Sequence, residues 1–248
     1  MQLVWQDAIV TKIEQATHNT RRFWIQIPAL QQFDFEPGQF VTLDLPIHEQ
    51  KNKRWRSYSI ASAPDGTNTI ELVIVLNENG LGTPHLFNDI KEGSALTLRG
   101  PQGKFTMPEF LDRDLYLICT GTGIAPFRSM VHYINQFKVP HQQIHIIFGC
   151  RKLDDVLYEA ELKELEKNFE GFHFHPCFSR ETSVGHGRYT GYVHDVYTQL
   201  LNERKQEDGS LPPAYFYLCG WKTMVDHAKQ NILELGYDKK AIHLELYG

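Results

Sequence analysis

The feature that most constrains this chain is a change of hydrophobic pattern near Pro108. Before it, short stretches of alternating apolar and polar residues are separated by turn residues. After it, short apolar stretches alternate with amphipathic stretches of helical length. A period of two is typical of half-buried strands, and a period near 3.6 is typical of helices. The sequence therefore predicts two domains, residues 1–107 and 108–248, each of ordinary size.

The first part predicts a small β-barrel. Phe23, Ile25 and Ile27 share one face of a strand, and turn pairs such as Pro37-Gly38 and Asn79-Gly80 separate the strands. Six strands with one short helix, at about 84–89, favour a closed antiparallel six-stranded barrel with Greek-key connections. The predicted strands are 4–13, 21–27, 39–45, 56–60, 69–76 and 95–99.

The second part predicts an α/β domain. Its strands and helices alternate along the chain, and Leu162, Leu165 and Phe169 share a helix face in the way a packed helix requires. Alternating β and α segments imply a doubly wound parallel sheet. The predicted strands are 115–119, 144–149, 172–178, 215–219 and 242–247, and the predicted helices are 125–137, 156–169, 193–203 and 222–235.

Composition excludes several classes of protein. A net charge of −5 lacks the basic excess that a nucleic-acid binder needs. The apolar runs are too short to span a bilayer, and the N-terminus does not resemble a secretory signal, so a cytoplasmic protein is expected. The four cysteines are scattered without the spacing of an iron–sulfur site.

Residues 56–59 form the first candidate ligand site. The guanidinium fork of Arg56 suits a pyrophosphate, the ring of Tyr58 suits a flat ligand, and a serine hydroxyl can donate to a ring nitrogen. On a strand, Arg56 and Tyr58 project to one side, and Ser57 and Ser59 project to the other. By themselves these residues are equally consistent with a polar exposed strand.

Two glycine turns form candidate phosphate sites. Residues 80–83 (GLGT) precede the short helix, and residues 120–126 (TGTGIAP) join the first strand of the α/β part to its helix. Backbone N–H groups at such turns can approach a phosphate. The second turn has Pro126 where a dinucleotide fingerprint has its third glycine, and it lacks the lysine of a P-loop. A tight turn without a ligand remains open for both.

Four ordered motifs together resemble the ferredoxin–NADP⁺ reductase family. They are RSYSIAS at 56–62, GTGIAPFRS at 121–129, CGWKTM at 219–224 and LELY at 244–247, with GPQGKF at 100–105 in support. The resemblance extends from about residue 37 to the end of the chain.

The resemblance implies that the first domain binds FAD. Arg56 would hold the pyrophosphate together with the backbone around Gly82, Tyr58 would stack on the isoalloxazine, and Ser59 would hydrogen-bond near its N5. The residues implied for FAD are Arg56, Ser57, Tyr58, Ser59, Ile74, Gly82, Thr83 and Thr122.

The resemblance also implies four catalytic residues, Ser59, Cys219, Glu245 and Tyr247. Cys219 would face the nicotinamide C4, where a small polarizable thiol packs without competing for hydride. Glu245 would polarise the nicotinamide or exchange a proton near it. Tyr247 would cover the flavin and swing aside for the coenzyme. Gly248 follows this tyrosine, unlike in plant-type members, so the tightness of the Tyr247 stack remains open.

Coenzyme choice is predicted from arginines near the strand ends. Arg180 follows the third parallel strand, and Arg188 could complete a clamp on a 2′-phosphate. Arg151 is a further candidate, and Tyr192 could stack on adenine. NADPH is favoured and NADH stays open, because the spacing of Arg180 and Arg188 differs from the plant-type pattern. The residues implied for NADP(H) are Gly121, Thr122, Gly123, Arg151, Ser179, Arg180, Arg188, Tyr192, Cys219 and Gly220.

The expected activity is that of a ferredoxin– or flavodoxin–NADP⁺ reductase. The alternatives are the reductase component of an oxygenase, an electron-relay flavoprotein subunit and a non-catalytic binding module. The basic loop of Lys51, Lys53 and Arg54 could steer an acidic partner, although a plain exposed loop is about as consistent. His173 and His175 share a strand face, but no third ligand is apparent, so no metal site is predicted.

Overall fold

A computed structural model describes residues 4–247 of the chain, which fold into two compact units. The first comprises residues up to Met107 together with Ala125–Phe137, and the second comprises Pro108–Ile124 and the chain from Lys138 on. The division at 107 and 108 therefore stays a prediction, because the helix at 125–137 groups with the first unit. Within residues 4–247, no helix combines the length and the apolar character that crossing a membrane requires.

The first unit is built on a six-stranded antiparallel sheet, as predicted. The order of its strands is β4-β3-β6-β1-β2-β5. The two outer strands are joined by a bridge between Ile60 and Leu72, and Ala61 N–H donates to the Glu71 carbonyl at 2.8 Å. The strands are β1 (Trp5–Thr17), β2 (Thr20–Gln26), β3 (Phe40–Asp44), β4 (Trp55–Ser59), β5 (Thr69–Val75) and β6 (Ala95–Gln102).

Alternation along these strands creates the core of the first unit. Phe23 and Ile25 of β2 and Leu72 of β5 are buried on the inner face. Burying a side chain of this kind contributes about 1.5–3 kcal/mol. The helix α1 (Gly82–Asn88) places Leu86 on the same core. The alternation in the sequence therefore correctly predicts which side chains lie on the inner face of the sheet.

A buried carboxylate fixes the junction of β4 and β5. Glu71, whose side chain is only 3% exposed, accepts from Arg22 at 2.6 and 3.1 Å and from Arg128 at 3.1 Å. The same Nη1 of Arg128 donates to the Ala61 carbonyl at 2.8 Å, and Glu71 N–H donates to Ser62 Oγ at 3.0 Å. These bonds tie the end of the RSYSIAS motif to β5.

The second unit contains a six-stranded parallel sheet in the order β10-β9-β8-β7-β11-β12, which confirms the predicted α/β class. The strands are β7 (Asp114–Thr120), β8 (Ile144–Cys150), β9 (Phe172–Phe178), β10 (Tyr189–Thr190), β11 (Ala214–Trp221) and β12 (Ile242–Tyr247). The helices between and after these strands in the chain are α2 (Ile124–Phe137), α3 (Glu159–Asn168), α4 (Val193–Glu203) and α5 (Lys222–Glu234). All but the first residue of α2 groups with the first unit.

Two details of this unit differ from the prediction. Helix α3 begins at Glu159 rather than at 156, because Tyr158 has a left-handed backbone (φ 58°) and precedes the first helical residue. The strand β10 was not predicted. It has only two residues, paired with Cys177 and Phe178 of β9, and such a short segment shows no periodicity.

Three histidines lie side by side on one sheet face, where the sequence placed only two. Strand pairing sets His145 opposite His173. His145 Nδ1 is 3.1 Å from His175 Nε2, and His175 Nδ1 is 3.3 Å from the Tyr189 hydroxyl. The neighbouring strand supplies this third histidine, which the spacing of His173 and His175 in the sequence does not indicate. Within residues 4–247, no group of His, Cys, Asp and Glu side chains is arranged to hold a metal ion.

We expect this histidine cluster to lower the stability of the protein at acidic pH. Burial, reinforced by His175, His173 and Arg204, lowers the pKa of His145 to about 2. Burial, followed by the neighbouring His173, lowers the pKa of His175 to about 4. Protons therefore bind both rings more weakly in the folded chain than in the unfolded chain, where the pKa is near 6.5. The free energy of unfolding then decreases as pH drops below that value.

We expect each ring to cost about 2 kcal/mol between pH 7 and pH 5, at about 1.4 kcal/mol per pKa unit. Urea unfolding of the full chain at both pH values measures the loss. His145→Phe should flatten the dependence, while the exposed His186→Gln should leave it unchanged. An unchanged slope in His145→Phe would show that the cluster is not its source.

Candidate active site

The predicted flavin strand is β4, at the edge of the first sheet next to β3. Its side chains alternate as predicted. The Ser57 hydroxyl lies 3.1 Å from the Thr42 hydroxyl on one face, and Tyr58 packs against the apolar core on the other. Burial raises the pKa of Tyr58 to about 12, so the phenol keeps its proton at neutral pH. Ser59, at the end of the strand, is buried.

The first glycine turn lies directly against Arg56. A Cβ on Gly82 would lie 2.9 Å from Arg56 Cγ and 3.1 Å from its Nε, so any other residue here would force the Arg56 side chain to shift. Arg56 Nη1 donates to the carbonyls of Lys53 and Trp55 at 3.0 and 2.8 Å. These are the guanidinium's only bonds to residues 4–247, and they leave Nε and Nη2 for an anion.

Two further residues predicted to bind FAD in this unit, Thr83 and Ile74, have side chains engaged in other contacts. The Thr83 hydroxyl accepts from Asn77 N–H at 2.8 Å and lies 3.2 Å from the Asn77 carbonyl, which closes the loop before α1. The backbone of Thr83 remains beside Gly82. The Ile74 side chain is buried with Ile70 and Leu72 on the core face of β5, so it can meet a ligand only through its backbone.

In the basic loop before β4, two of the three positive side chains are exposed and the third is paired with a carboxylate. Lys51 and Lys53 form a short 3-10 turn and are exposed. Arg54 Nε lies 2.7 Å from an Asp44 carboxylate oxygen and 3.2 Å from the Leu45 carbonyl. Asp44 therefore offsets the charge of Arg54, and the two lysines carry the positive charge of the loop.

In the second unit, the 120–123 turn interlocks with the end of β11. A Cβ on Gly123 would collide with the Cys219 carbonyl, and a Cβ on Gly220 would collide with the Thr120 hydroxyl. Gly121 and Gly220 have positive φ angles of 53° and 139°, and glycine adopts such angles without strain. The turn containing Thr122 is thus fixed at the carboxyl edge of the parallel sheet, where such folds bind nucleotides.

Cys219, Glu245 and Tyr247 meet at the same edge. Parallel pairing of β11 and β12 sets Cys219 beside Glu245, and the Tyr247 side chain hydrogen-bonds the Cys219 side chain. Burial and then the Glu245 charge raise the pKa of Cys219 well above its usual range. The thiol is therefore neutral at physiological pH and is suited to packing against a ring rather than to nucleophilic attack. Gly248 lies outside the described residues.

The predicted coenzyme-specificity residues follow β8 and β9. Arg180 N–H donates to the Arg151 carbonyl at 2.9 Å, so the two arginines occupy one edge. Both are exposed, and neither side chain has a partner among residues 4–247. The Ser179 hydroxyl donates to the Cys150 carbonyl at 3.3 Å. Tyr192, just before α4, is 65% exposed and is free to stack on a ligand.

Arg188 is not free. Its Nε and Nη2 donate to the two Glu159 carboxylate oxygens at 2.8 and 2.9 Å. Sequence reasoning missed this pair because Glu159 lies on α3, 29 residues away. It also missed Trp221, which follows Gly220, is 64% exposed and pairs with Tyr247. An exposed tryptophan within the CGWKTM motif was the available signal.

Both nucleotide-binding halves match known protein families. Residues 7–107 match the model of the oxidoreductase FAD-binding domain, and residues 117–230 match that of the oxidoreductase NAD-binding domain. Together with the two sheets and their glycine turns, these matches define a flavin oxidoreductase with an FAD-binding and an NAD(P)-binding domain.

Similar proteins of known class indicate to which family of flavin oxidoreductases the chain belongs. Ferredoxin–NADP reductase B of Sorangium cellulosum is 33% identical over 217 residues, which are 87% of this chain and 86% of that protein. The chain belongs to the ferredoxin–NADP reductase family. The electron transfer component of anthranilate 1,2-dioxygenase from Acinetobacter baylyi is 27% identical over 89% of this chain, which spans only 61% of that relative.

A solved structure shows the same fold. The ferredoxin NADP⁺ reductase from Neisseria gonorrhoeae, determined with bound FAD and NADP, has a TM-score of 0.80, with 23% identity and 98% of both chains covered.

Proposed function

We propose that this protein oxidises NADPH and passes the electrons singly to ferredoxin or flavodoxin through FAD. The observation that carries the proposal is the Cys219, Glu245 and Tyr247 group beside the interlocked glycine turn. When bound, FAD supplies the conversion from two-electron to one-electron chemistry. The protein supplies binding, orientation and electrostatics.

The first unit fits FAD. The contact between Gly82 and Arg56 leaves a surface without a side chain next to an open guanidinium, as a pyrophosphate requires. Arg56 would hold the pyrophosphate, and Tyr58 would present its ring to the flavin. Ser59 would donate a hydrogen bond at the end of β4.

The second unit fits a pyridine nucleotide. The N–H groups of the Gly121-Thr122-Gly123 turn would bind the pyrophosphate. Cys219 would pack against the nicotinamide as a neutral thiol, held by the Tyr247 hydroxyl, and Glu245 would orient the ring or exchange a proton there. Arg151 and Arg180 would bind the 2′-phosphate, which favours NADPH over NADH.

Anaerobic titration of the purified protein tests this function. We expect a yellow protein whose flavin absorbance bleaches with NADPH faster than with NADH and recovers when oxidised ferredoxin or flavodoxin is added. A colourless protein would refute the flavin assignment. A yellow protein that NADPH does not bleach would instead favour an electron-relay subunit.

The partner is proposed to dock near the basic loop of Lys51 and Lys53. We expect Lys51→Glu/Lys53→Glu to raise the KM for an acidic ferredoxin or flavodoxin about 10-fold at low salt, because rim charges mainly change association. Reduction of ferricyanide serves as the internal control and should be unaffected. Lys205→Glu, which changes an exposed lysine in another loop, is the matched variant and should leave the KM unaltered. Equal effects of both substitutions would contradict docking at this loop.

A second candidate function is the reductase component of an oxygenase, which the similarity to the Acinetobacter electron transfer component supports. Such a role would appear as fast electron transfer to an oxygenase or its ferredoxin and slow transfer to flavodoxin.

A further inference from the structure

The ion pair of Arg188 and Glu159 bears on coenzyme choice. The guanidinium fork meets the carboxylate through two parallel hydrogen bonds at 2.8 and 2.9 Å. Both side chains are partly buried, with 29% of Arg188 and 18% of Glu159 exposed. A second cation, Lys163, lies 3.1 Å from the same carboxylate. This bidentate geometry is the one that an arginine would otherwise offer to a phosphate.

The pair lies near the end of β8. Burial, and then the carboxylates of Asp155, Glu159 and Glu181 among other neighbours, raises the pKa of Cys150, the last residue of that strand. Arg151 comes next in the chain, and its carbonyl accepts from Arg180 N–H. Strand β10, which begins directly after Arg188, pairs with the end of β9 just before Arg180. The Glu159 carboxylate and the two open arginines therefore share one edge of the sheet.

We propose that Glu159 is a specificity-determining residue that withholds Arg188 from the 2′-phosphate and so limits the preference for NADPH. This inference rests on the coenzyme site of the proposed function. A 2′-phosphate could recruit Arg188 only by displacing the carboxylate, which would then remain beside the phosphate as a like charge. NADH, which lacks the phosphate, does not experience this competition.

The inference gives Arg188 a role different from that implied by the family resemblance. Arg151 and Arg180 form the anion site, and Arg188 remains bonded to Glu159. Neutralising Glu159 removes both the competitor and the repulsion, so it should strengthen binding of the phosphorylated nucleotide alone.

Calorimetric binding of 2′,5′-ADP and 5′-AMP to the FAD-loaded protein tests the inference without turnover. We expect Glu159→Gln to tighten binding of 2′,5′-ADP about 10-fold, the effect of one or two charge-assisted hydrogen bonds, and to leave 5′-AMP unchanged. Glu159→Gln/Arg188→Ala should lose that gain. Glu164→Gln, which makes the same charge change on α3 away from Arg188, should match the wild type.

Three results would overturn the inference. In the first, Glu159→Gln leaves the ratio of the two affinities unchanged. In the second, Glu159→Gln weakens the binding of 2′,5′-ADP, which would mean that Glu159 positions Arg188 for the phosphate. In the third, the affinities for both nucleotides change equally, as expected if the ion pair only stabilises the fold. The companion variant Arg180→Ala tests separately whether NADPH is the coenzyme. If it does not weaken 2′,5′-ADP, and 2′,5′-ADP binds no better than 5′-AMP, the NADPH assignment fails together with the inference.

Discussion

Cys219→Ala is expected to slow NADPH-dependent flavin reduction by about 10- to 100-fold, the size of effect that a small misplacement of reactants produces. Cys219 is fully buried, touches the Tyr247 hydroxyl and lies beside Glu245 in the strand register. Removing the sulfur takes away the surface proposed to pack the nicotinamide and leaves the phenol without this partner. FAD should stay bound, because the residues proposed to hold its pyrophosphate and its flavin ring, Arg56, Tyr58 and Ser59, belong to the first unit.

The measurement is stopped-flow bleaching of the flavin by NADPH, with FAD content determined from the visible spectrum. A fall in the rate constant at saturating NADPH, larger than the change in apparent affinity, indicates misplaced reactants rather than weaker binding.

Cys119→Ala is the matched control for this experiment. Cys119 is equally buried and lies opposite Cys219 in the neighbouring strand β7, but it is outside the four family motifs. Its truncation should lower stability slightly and change flavin reduction by less than about 3-fold, in line with the local nature of the packing effect. An unchanged rate in Cys219→Ala, or equal losses in both variants, would refute the assigned role.

Glu71→Gln is expected to lower the free energy of unfolding of the first unit by about 3–5 kcal/mol, the cost of breaking a buried ion pair from one side. The change leaves the guanidinium groups of Arg22 and Arg128 close together without the carboxylate that they share. The same bonds fix Ala61 and Ser62, directly after the flavin strand. We therefore also expect FAD to be released at a lower urea concentration.

Urea unfolding followed by FAD fluorescence measures both effects. Glu14→Gln is the control, because this carboxylate is 41% exposed and contacts Arg22 at only 3.5 Å. Solvent screens an exposed ion pair strongly, so the control should lie close to wild type. If Glu71→Gln and Glu14→Gln destabilise the protein equally, Glu71 does not fix the junction of β4 and β5.

Much of the site could be anticipated from local sequence. The turns at 80–83 and 120–123 were predicted from their glycines. A Cβ on Gly82 or Gly123 would lie 2.9 or 2.4 Å from a neighbouring atom, and Gly121 has a positive φ of 53°. Cys219 and Glu245 were singled out from separate motifs, and parallel pairing of β11 and β12 sets them side by side. The roles of these residues remain predictions for the experiments above.

Other features could not be anticipated because they depend on which strands and helices become neighbours. Glu159 lies on α3, 29 residues before Arg188 in the chain, yet it holds Arg188. Strand pairing sets His145 beside His173, and the distance between them in the sequence does not indicate this contact. Ile74 was named as a flavin residue, although its side chain faces the core.

Local sequence patterns were enough to predict the two-domain class, the positions of nearly all strands and helices, and the glycine turns proposed to bind phosphates. Periodicity and glycine requirements act over a few neighbouring residues, so they are readable in one dimension. The pairing of charges, by contrast, depends on contacts between distant parts of the chain. Arg151 and Arg180 are open, Arg188 is held by Glu159, and Arg128 is held by Glu71. Ion pairs form between residues distant in sequence, and strand register and helix packing alone bring those residues within hydrogen-bonding distance.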